Sequence, residues 1–195
     1  MKNFKKGSLI FYYGTMGSAK TANALMQKYN LNEKGYRVLL LKPALDTRDG
    51  KTIIKSRIGL KAKAMIFTPD DNLKELLKNK RYDCIIVDEC QFSSAKQIEQ
   101  LRDICDEKGI TAYCYGLLTD FTSHLFEGSK RLVELANQMC LLQNYCKCGS
   151  NATINARFDS TGKIVNEGEQ RQVGGDDMYK ALCYSCWKKQ LSNEK

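Results

Sequence analysis

Residues 14–21 read GTMGSAKT and lie between a short apolar run, Ser8–Tyr13, and a helical stretch, 22–34. A glycine-containing loop that joins a buried strand to a helix is typical of phosphate-binding loops, because its backbone N–H groups and the helix N-terminus attract anions. The standard pattern has Gly directly before the Lys, whereas this chain has Ala19 there. The segment therefore predicts a nucleotide site, with a turn that only caps an ordinary helix as the alternative.

Two side chains of this loop have specific tasks in such a site. Lys20 is expected to reach the β- and γ-phosphates, and the hydroxyl of Thr21 is expected to bind Mg²⁺. The other candidate contacts for ATP in the loop are Gly14, Thr15, Met16, Gly17, Ser18 and Ala19. We therefore expect ATP and Mg²⁺ at the first strand–helix junction.

A pair of acids follows another apolar run, Cys84–Val87. Asp88 stands where a phosphate-loop protein has a second acidic group for Mg²⁺. Glu89 is placed to act as a general base, either on water in an ATPase or on a substrate hydroxyl in a kinase. We assign Cys90 and Gln91 to the same ATP and Mg²⁺ site. Two solvated acids at a strand end are the alternative.

Strand-like and helical segments alternate as far as residue 142. The predicted strands are Ser8–Tyr13, 38–41, 64–67, Cys84–Val87, 110–115 and 140–142. Thr68 is a predicted N-cap for a helix to about residue 80, and Ser94 with Gln97 forms a predicted capping box for the next helix. The lysine-rich segment 46–63 predicts a hairpin or loop. This order predicts an α/β fold, in which a mostly parallel sheet flanked by helices forms a phosphate-loop domain over residues 1–144.

Residues 145–195 predict a small second lobe that needs a metal or docking to stay folded. Two close cysteine pairs, Cys146-x-Cys148 and Cys183-x₂-Cys186, suit a tetrahedral structural Zn²⁺ site without an open position. Reactive or idle thiols are the alternative. The five other cysteines belong to predicted core elements and are interpreted as inert small hydrophobes: Cys84, Cys90, Cys105, Cys114 and Cys140.

Bulk composition limits the class of protein. The 195 residues carry a net charge of +9, which suits a polyanionic ligand such as a nucleotide, or simply a basic surface. No apolar run is long enough for a membrane helix, and no signal or transit peptide is evident. Nine cysteines without a secretory signal favour reduced thiols and a cytoplasmic location. The single histidine, His124, is interpreted as a solvated loop residue.

The motifs, in this order, resemble the zinc-containing, tetrameric class of thymidine kinases found in many bacteria and in the animal cytosol. The matching strings are GTMGSAKT at 14–21, KPALDTR at 42–48, VDECQF at 87–92, GLLTDF at 116–121, FEGS at 126–129 and NEGEQRQVGGDDMY at 166–179. The resemblance implies that ATP and thymidine, with deoxyuridine as a possible substitute, give ADP and the nucleoside 5′-monophosphate for pyrimidine salvage and DNA synthesis. It also implies a homotetramer in the cytoplasm.

The resemblance implies a role for each matching position. Glu89 accepts the 5′-hydroxyl proton, Asp46 and Arg48 line the site of phosphoryl transfer, and residues 172–179 fold over the base as a substrate lid carried by the zinc lobe. The positions implied around the nucleoside are Phe92, Leu117, Phe121, Phe126, Gln172, Val173, Gly174, Gly175 and Tyr179.

The chain also departs from the family pattern. Besides Ala19, the first cysteine pair is one residue tighter than is common, with Tyr145 at the expected first ligand position. Leu118 replaces a common charged residue, residues 122–125 differ from the usual string, and Arg57 stands where His is frequent. The changes over 118–125 predict altered substrate contacts.

Two other functions fit the same motifs. A nucleic-acid-stimulated ATPase with a zinc ribbon would use the same loop, the Asp88–Glu89 pair and the positive charge. We expect neither nucleic acid nor membrane as a partner, because no second nucleic-acid motif accompanies the loop. A nucleotide-binding regulator without turnover is the other candidate, and Glu89 beside a Mg²⁺ ligand disfavours it.

Overall fold

The structure is a computed structural model and describes residues 7–46, 50, 52–168, 170 and 178–192. Its elements are β1 (Ser8–Tyr13), α1 (Lys20–Glu33), β2 (Val38–Pro43), β3 (Ile53–Lys55), β4 (Lys61–Lys63), β5 (Met65–Phe67), α2 (Leu73–Leu77), β6 (Cys84–Val87), α3 (Ala95–Lys108), β7 (Thr111–Gly116), α4 (Glu127–Leu135), β8 (Gln138–Leu141), β9 (Ile154–Phe158), β10 (Ile164–Val165), β11 (Tyr179–Leu182) and α5 (Tyr184–Ser192). A short 3-10 helix, Cys90–Phe92, follows β6.

The main sheet has six strands in the order β5-β2-β6-β7-β1-β8. Every neighbouring pair is parallel, so the predicted parallel sheet is confirmed. Parallel strands place their carboxyl ends at one edge of the sheet, where ligands of open α/β folds bind. The segments that follow β1, β6 and β7 therefore meet at that edge.

Helices cover both faces of this sheet, as predicted. On one face Leu9 and Phe11 of β1 pack in a cluster that includes Ile98 of α3. On the other face Ile86 of β6 packs in a cluster with Leu25 of α1. Successive strand residues point to opposite faces, and each buried aliphatic or aromatic side chain contributes roughly 1.5–3 kcal/mol. Burial on both faces explains why these strands are continuous apolar runs.

The start of α3 confirms the capping box read from the sequence. The Ser94 side chain accepts a hydrogen bond from Gln97 N at 3.2 Å, and the Gln97 side chain accepts one from Ser94 N at 3.1 Å. The helix ends at Gly109, whose φ of 63° is readily adopted by glycine.

The predicted helix start at Thr68 is wrong. Thr68 N and Oγ1 both donate to Asp71 Oδ2, at 2.6 and 2.9 Å, which closes a turn instead. Gln97 Nε2, in α3, donates a hydrogen bond to the Thr68 carbonyl at 2.7 Å, which fixes the turn against α3. The helix begins at Leu73, and its N-cap is Asn72, whose side chain accepts from the amides of the first turn.

Two smaller sheets complete the structure. Strands β3 and β4 form an antiparallel hairpin within the lysine-rich segment, where a hairpin or loop was predicted. Strands β10, β9 and β11 form an antiparallel sheet whose core, with Ile154 and Phe158, packs against Trp187 of α5. The sequence did not predict these three strands, and the division of the chain between residues 144 and 145 stays a prediction. Within the described residues, no helix combines the length and apolar character needed to cross a bilayer.

Candidate active site

In the loop between β1 and α1, both glycines stand where a side chain would be unfavourable. A Cβ added at Gly14 would lie 2.4 Å from the Leu142 carbonyl oxygen and 2.5 Å from Ser18 Oγ. Gly17 has a φ of 82°, which disfavours any residue with a Cβ. Ala19, which precedes α1, has a φ of 58° and is therefore strained. The usual glycine at this position has a physical explanation in this conformation.

Lys20 is held inside the loop by the loop's own backbone. Its Nζ donates to the carbonyl oxygens of Gly14 at 3.1 Å and Thr15 at 2.8 Å. The N-terminus of α1 behind it has no side-chain cap hydrogen bond. A buried ammonium beside the uncapped N-terminus of a helix is a favourable place for phosphate.

Asp88 lies next to this loop, at the end of β6, and is 3% exposed. Burial raises the pKa of the Asp88 carboxyl to about 7, and the negative charge of Glu89 adds to the rise. A hydrogen bond with the Thr21 side chain and the charge of Lys20 oppose the rise in this pKa. The structure thus brings together Asp88 and Thr21, the two residues predicted to hold Mg²⁺, in a site where a cation would compensate a buried carboxylate.

Glu89 has a left-handed backbone, with a φ of 52°. Its Oε2 accepts a hydrogen bond from Gln91 Nε2 at 2.5 Å, and Gln91 Oε1 accepts one from Leu117 N at 3.1 Å. A Cβ at Gly116 would lie 2.6 Å from Gln91 Oε1, so the glycine makes room for this fully buried amide. The contacts of Gln91 orient Glu89.

Cys90 differs from the expectation for an ATP contact. Its side chain is fully buried in the core beneath the sheet edge, together with Cys114. Burial raises the pKa of the Cys90 thiol well above its ordinary value, and a hydrogen bond with Cys114 adds to this. The side chain of Cys90 therefore belongs to the core rather than to the site.

The loop after β7, residues 117–126, which we call the acceptor loop, carries three of the residues predicted around the nucleoside. Phe121 and Phe126 are 2% and 4% exposed, and Leu117 is half-buried. The ring of Phe92 packs edge-on against Phe126, with ring centroids 5.9 Å apart. The guanidinium of Arg157, which the sequence analysis did not select, stacks 3.6 Å above the centre of the Phe121 ring.

Asp120 organises the acceptor loop. Its Oδ1 accepts from Thr122 N at 2.8 Å and from His124 N at 3.0 Å, while Oδ2 accepts from Gln170 Nε2 at 2.8 Å. Burial acts to raise the pKa of this carboxyl, but the hydrogen bonds from Thr122, Gln170 and His124 hold it below its ordinary value. His124 is exposed, in accord with its interpretation as a solvated loop residue.

The remaining predicted residues fall into two groups, those outside the described residues and those on β11 or after β2. Arg48 and the lid residues Gln172, Val173, Gly174 and Gly175 fall outside the described residues. Tyr179 begins β11 and is half-buried. Asp46 is buried, and Lys42 Nζ lies 3.5 Å from its Oδ2. Lys42, which the sequence analysis also missed, is fully buried and donates to the carbonyls of Gly50 and Ile53.

The four predicted metal ligands converge. The sulfur atoms of Cys146, Cys148, Cys183 and Cys186 all lie within 4.8 Å of one another. Tetrahedral zinc thiolates with Zn–S bonds of about 2.3 Å place sulfurs about 3.8 Å apart, so the cluster fits zinc closely. The tight first spacing is accommodated by a turn in which Gly149, with a φ of 88°, donates to the Cys146 carbonyl.

Two asparagines complete the surroundings of the phosphate loop. Asn144 Nδ2 donates to the Met16 carbonyl at 2.8 Å and to Thr15 Oγ1 at 3.2 Å. Asn155, on β9, accepts from Met16 N at 2.7 Å and donates to the Thr119 carbonyl at 3.0 Å. No sequence signal marked either residue, because their partners, backbone groups of Met16 and Thr119 and the hydroxyl of Thr15, are distant in sequence.

Comparison with known proteins gives one consistent family. The family model described as thymidine kinase matches residues 7–187. A thymidine kinase of Rhodopirellula baltica is 40% identical over 179 residues, which covers 90% of this chain and 85% of that protein. Thymidine kinases of Vibrio vulnificus and Legionella pneumophila are 40% and 42% identical, covering 94% and 90% of this chain and 97% and 86% of theirs.

Proposed function

Because the chain belongs to the thymidine kinase family, we propose that it transfers the γ-phosphoryl group of ATP to the 5′-hydroxyl of thymidine, giving dTMP and ADP. The observation that supports this most directly is the meeting of three segments at one sheet edge. The phosphate loop, the Asp88–Glu89 pair and the acceptor loop follow β1, β6 and β7 respectively. This arrangement supports a site in which donor, base and acceptor meet at that edge. Deoxyuridine is the second candidate acceptor.

In this mechanism the phosphate loop holds the triphosphate. Lys20 neutralises charge on the β- and γ-phosphates, and Thr21 with Asp88 holds Mg²⁺. The pKa of Asp88, raised to about 7, fits a carboxylate that is compensated only when a cation is bound. Mg²⁺ supplies charge neutralisation on the transferring group when it is bound.

Glu89 is the proposed general base. It follows the Mg²⁺ ligand directly, and Gln91 holds one of its carboxylate oxygens in a fixed position. Such orientation matters because phosphoryl transfer depends on positioning more than on covalent chemistry. Asp46 and Arg48 are proposed beside the transferring group, where Arg48 would stabilise its charge.

The acceptor loop and the lid form the proposed nucleoside site. Phe92, Leu117, Phe121 and Phe126 supply apolar walls, and Tyr179 with residues 172–175 is proposed to close over the base. A closed lid excludes water, which otherwise competes with the 5′-hydroxyl for the phosphoryl group.

Zinc is the proposed structural cofactor of the second lobe, residues 145–195. Four cysteine ligands leave no coordination position for substrate, so we assign zinc a role in folding rather than in chemistry. We further propose a cytoplasmic homotetramer, on the strength of the family resemblance and of cysteines suited to a reducing compartment.

The test of the proposed function is ADP release with ATP and Mg²⁺, measured with no addition, with thymidine, with other nucleosides and with single-stranded DNA. We expect turnover that depends on thymidine, with the phosphate recovered on the 5′ carbon. Turnover stimulated by DNA but not by thymidine would overturn the kinase and support the ATPase.

The variant that tests Glu89 as the general base is Glu89→Gln. Loss of the base should lower kcat by roughly 10²–10⁴-fold, while the dissociation constant for Mg·ATP changes little, because the amide removes only the proton acceptor. The control is Glu134→Gln, on an exposed surface of α4. Undiminished turnover in Glu89→Gln would exclude Glu89 as the base.

A further inference from the structure

Asn155 is a buried amide that connects two loops of the active site. It lies in β9, is 3% exposed, and accepts a hydrogen bond from Met16 N in the phosphate loop at 2.7 Å. The other half of the same amide donates to the Thr119 carbonyl in the acceptor loop at 3.0 Å. Both the oxygen and the nitrogen of the Asn155 amide are therefore hydrogen-bonded, each to a different loop. The two bonded residues, Met16 and Thr119, are 103 residues apart in sequence.

The peptide groups of Met16 are held on both sides. Asn155 accepts from its N–H, and Asn144 Nδ2 donates to its carbonyl at 2.8 Å. The neighbouring Ser18 N donates to the Thr15 carbonyl at 3.2 Å, which closes the turn of the loop. The shape of the phosphate loop around Met16 is thus fixed partly by residues that lie beyond the main sheet.

The strand that carries Asn155, β9, pairs with β11, which leads into the cysteine cluster. Asn155 is paired with Ala181 of β11, and Ile154 is paired with Leu182, the residue before Cys183. A continuous path of strand pairing and hydrogen bonds therefore runs from the cysteine cluster through β11 and β9 to Met16 and Thr119. The lobe is in a position to fix both loops at once.

We propose that Asn155 is a positioning residue for phosphoryl transfer, which sets the separation of the phosphate loop from the acceptor loop. The proposal rests on the proposed function, since that function assigns the donor to the first loop and the acceptor to the second. Small errors in the distance between reacting groups cost large factors in rate, so a bridge between the two loops acts on kcat as well as on binding. Removing a buried hydrogen-bonding group also leaves its two backbone partners unsatisfied.

The experiment compares Asn155→Leu, which is similar in size but makes no hydrogen bond, with the wild type. Asn155→Ala is the second variant, because its smaller side chain avoids overpacking. The matched control is Ile154→Ala, in the same strand, whose side chain packs in the lobe core and touches no hydrogen bond of the bridge. Melting temperature, zinc content, the dissociation constant of Mg·ATP, KM for thymidine and kcat are measured for all four proteins.

We expect Asn155→Leu to raise the dissociation constant of Mg·ATP and KM for thymidine about tenfold each and to lower kcat about tenfold, at unchanged zinc content. Asn155→Ala should change the same constants in the same direction. Ile154→Ala should lower the melting temperature while each constant stays within about twofold of wild type, because its bridge is intact.

Two results would overturn the proposal. One is an Asn155→Leu enzyme that melts lower but keeps all three constants within about twofold of wild type. The other is an Ile154→Ala enzyme whose three constants change as much as those of Asn155→Leu, when both variants have lost the same amount of melting temperature. If the wild type binds Mg·ATP but shows no thymidine-dependent turnover, the proposed function fails, while the Mg·ATP affinities of the four proteins still decide whether Asn155 positions the phosphate loop.

Discussion

Three residues in the loops of the active site have backbone conformations that L-amino acids seldom adopt, Ala19 with a φ of 58°, Glu89 with a φ of 52° and Ser123 with a φ of 67°. Each costs about 1–2 kcal/mol relative to an ordinary conformation. At Glu89 the strained backbone accompanies the contact of its carboxylate with Gln91. At Ala19 the methyl side chain cannot cap the helix by a hydrogen bond, so no side-chain contact of this kind accompanies the strain.

Ala19→Gly is therefore expected to stabilise the protein, by roughly 0.5–1 kcal/mol after allowance for the greater freedom of glycine in the unfolded chain. For a chain of this size that raises the melting temperature by about 2 °C. The control is Ala24→Gly in the interior of α1, where the same substitution should destabilise by about 1 kcal/mol. Equal losses at both positions would show that residue 19 is unstrained.

Asp88→Asn is expected to stabilise the ligand-free protein at pH 8. The pKa of Asp88 is raised to about 7 in the fold, so its charged form is disfavoured there, and the destabilisation is absent below about pH 4 and complete above about pH 7. The neutral amide avoids this penalty, and a rise of about three pKa units corresponds to a gain of roughly 4 kcal/mol, or about 10 °C, at pH 8. Thermal unfolding from pH 4.5 to 8.5 without Mg²⁺ measures it, and a gain that is the same at every pH would contradict it.

At the scale of elements, the main sheet and α3 could be predicted because their signals are local. Apolar runs such as Cys84–Val87 and the Ser94–Gln97 capping box carry their meaning within a few residues. Strand β9 could not be predicted, because its sequence INARF places Asn155 and Arg157 at buried positions. Those polar side chains are tolerated only through partners in distant loops, such as the Thr119 carbonyl and the Phe121 ring.

In the candidate site, too, residues with a local sequence signal could be predicted and residues that depend on distant partners could not. The positions of Lys20, Thr21, Asp88 and Glu89 at one sheet edge could be predicted, because each lies within two residues of the start or end of an element that the sequence marks. Lys42 was not, since a lysine in an apolar strand has no local pattern that reveals its three oxygen partners.

Lys42 also anchors the hairpin of β3 and β4 to β2. Its ammonium contacts the carbonyls of Gly50 and Ile53 at 3.1 and 2.9 Å, before and at the start of the hairpin. Lys42→Met keeps the side-chain length but leaves these buried carbonyls without their donor, at a cost of about 2–4 kcal/mol. Hydrogen exchange in β3 and β4 should accelerate at least about tenfold. Lys55→Met, at an exposed hairpin position, is the control, and equal exchange in both variants would contradict the anchor.

At the scale of the whole molecule, the cysteine cluster is expected to stabilise the sheet of β9, β10 and β11 when it holds zinc. Cys183→Ser, or treatment with a chelator, should lower the melting temperature and the protection of β9 and β11 more than that of β6, because zinc ligation contributes directly to folding. Cys140→Ser, outside the cluster on β8, is the control. Identical melting curves with and without chelator would exclude a structural zinc.

The position of β1 between β7 and β8 has a consequence for synthesis on the ribosome. Strand β1 leaves the exit tunnel before both of its neighbours, which are complete only after Thr111–Gly116 and Gln138–Leu141 have been translated. At about 5–20 residues per second, the nascent chain therefore carries Leu9 and Phe11 without their strand partners for several seconds or more. Codon choice between β1 and β7 and the supply of nascent-chain chaperones then influence the yield of folded enzyme, although neither changes a single contact in it.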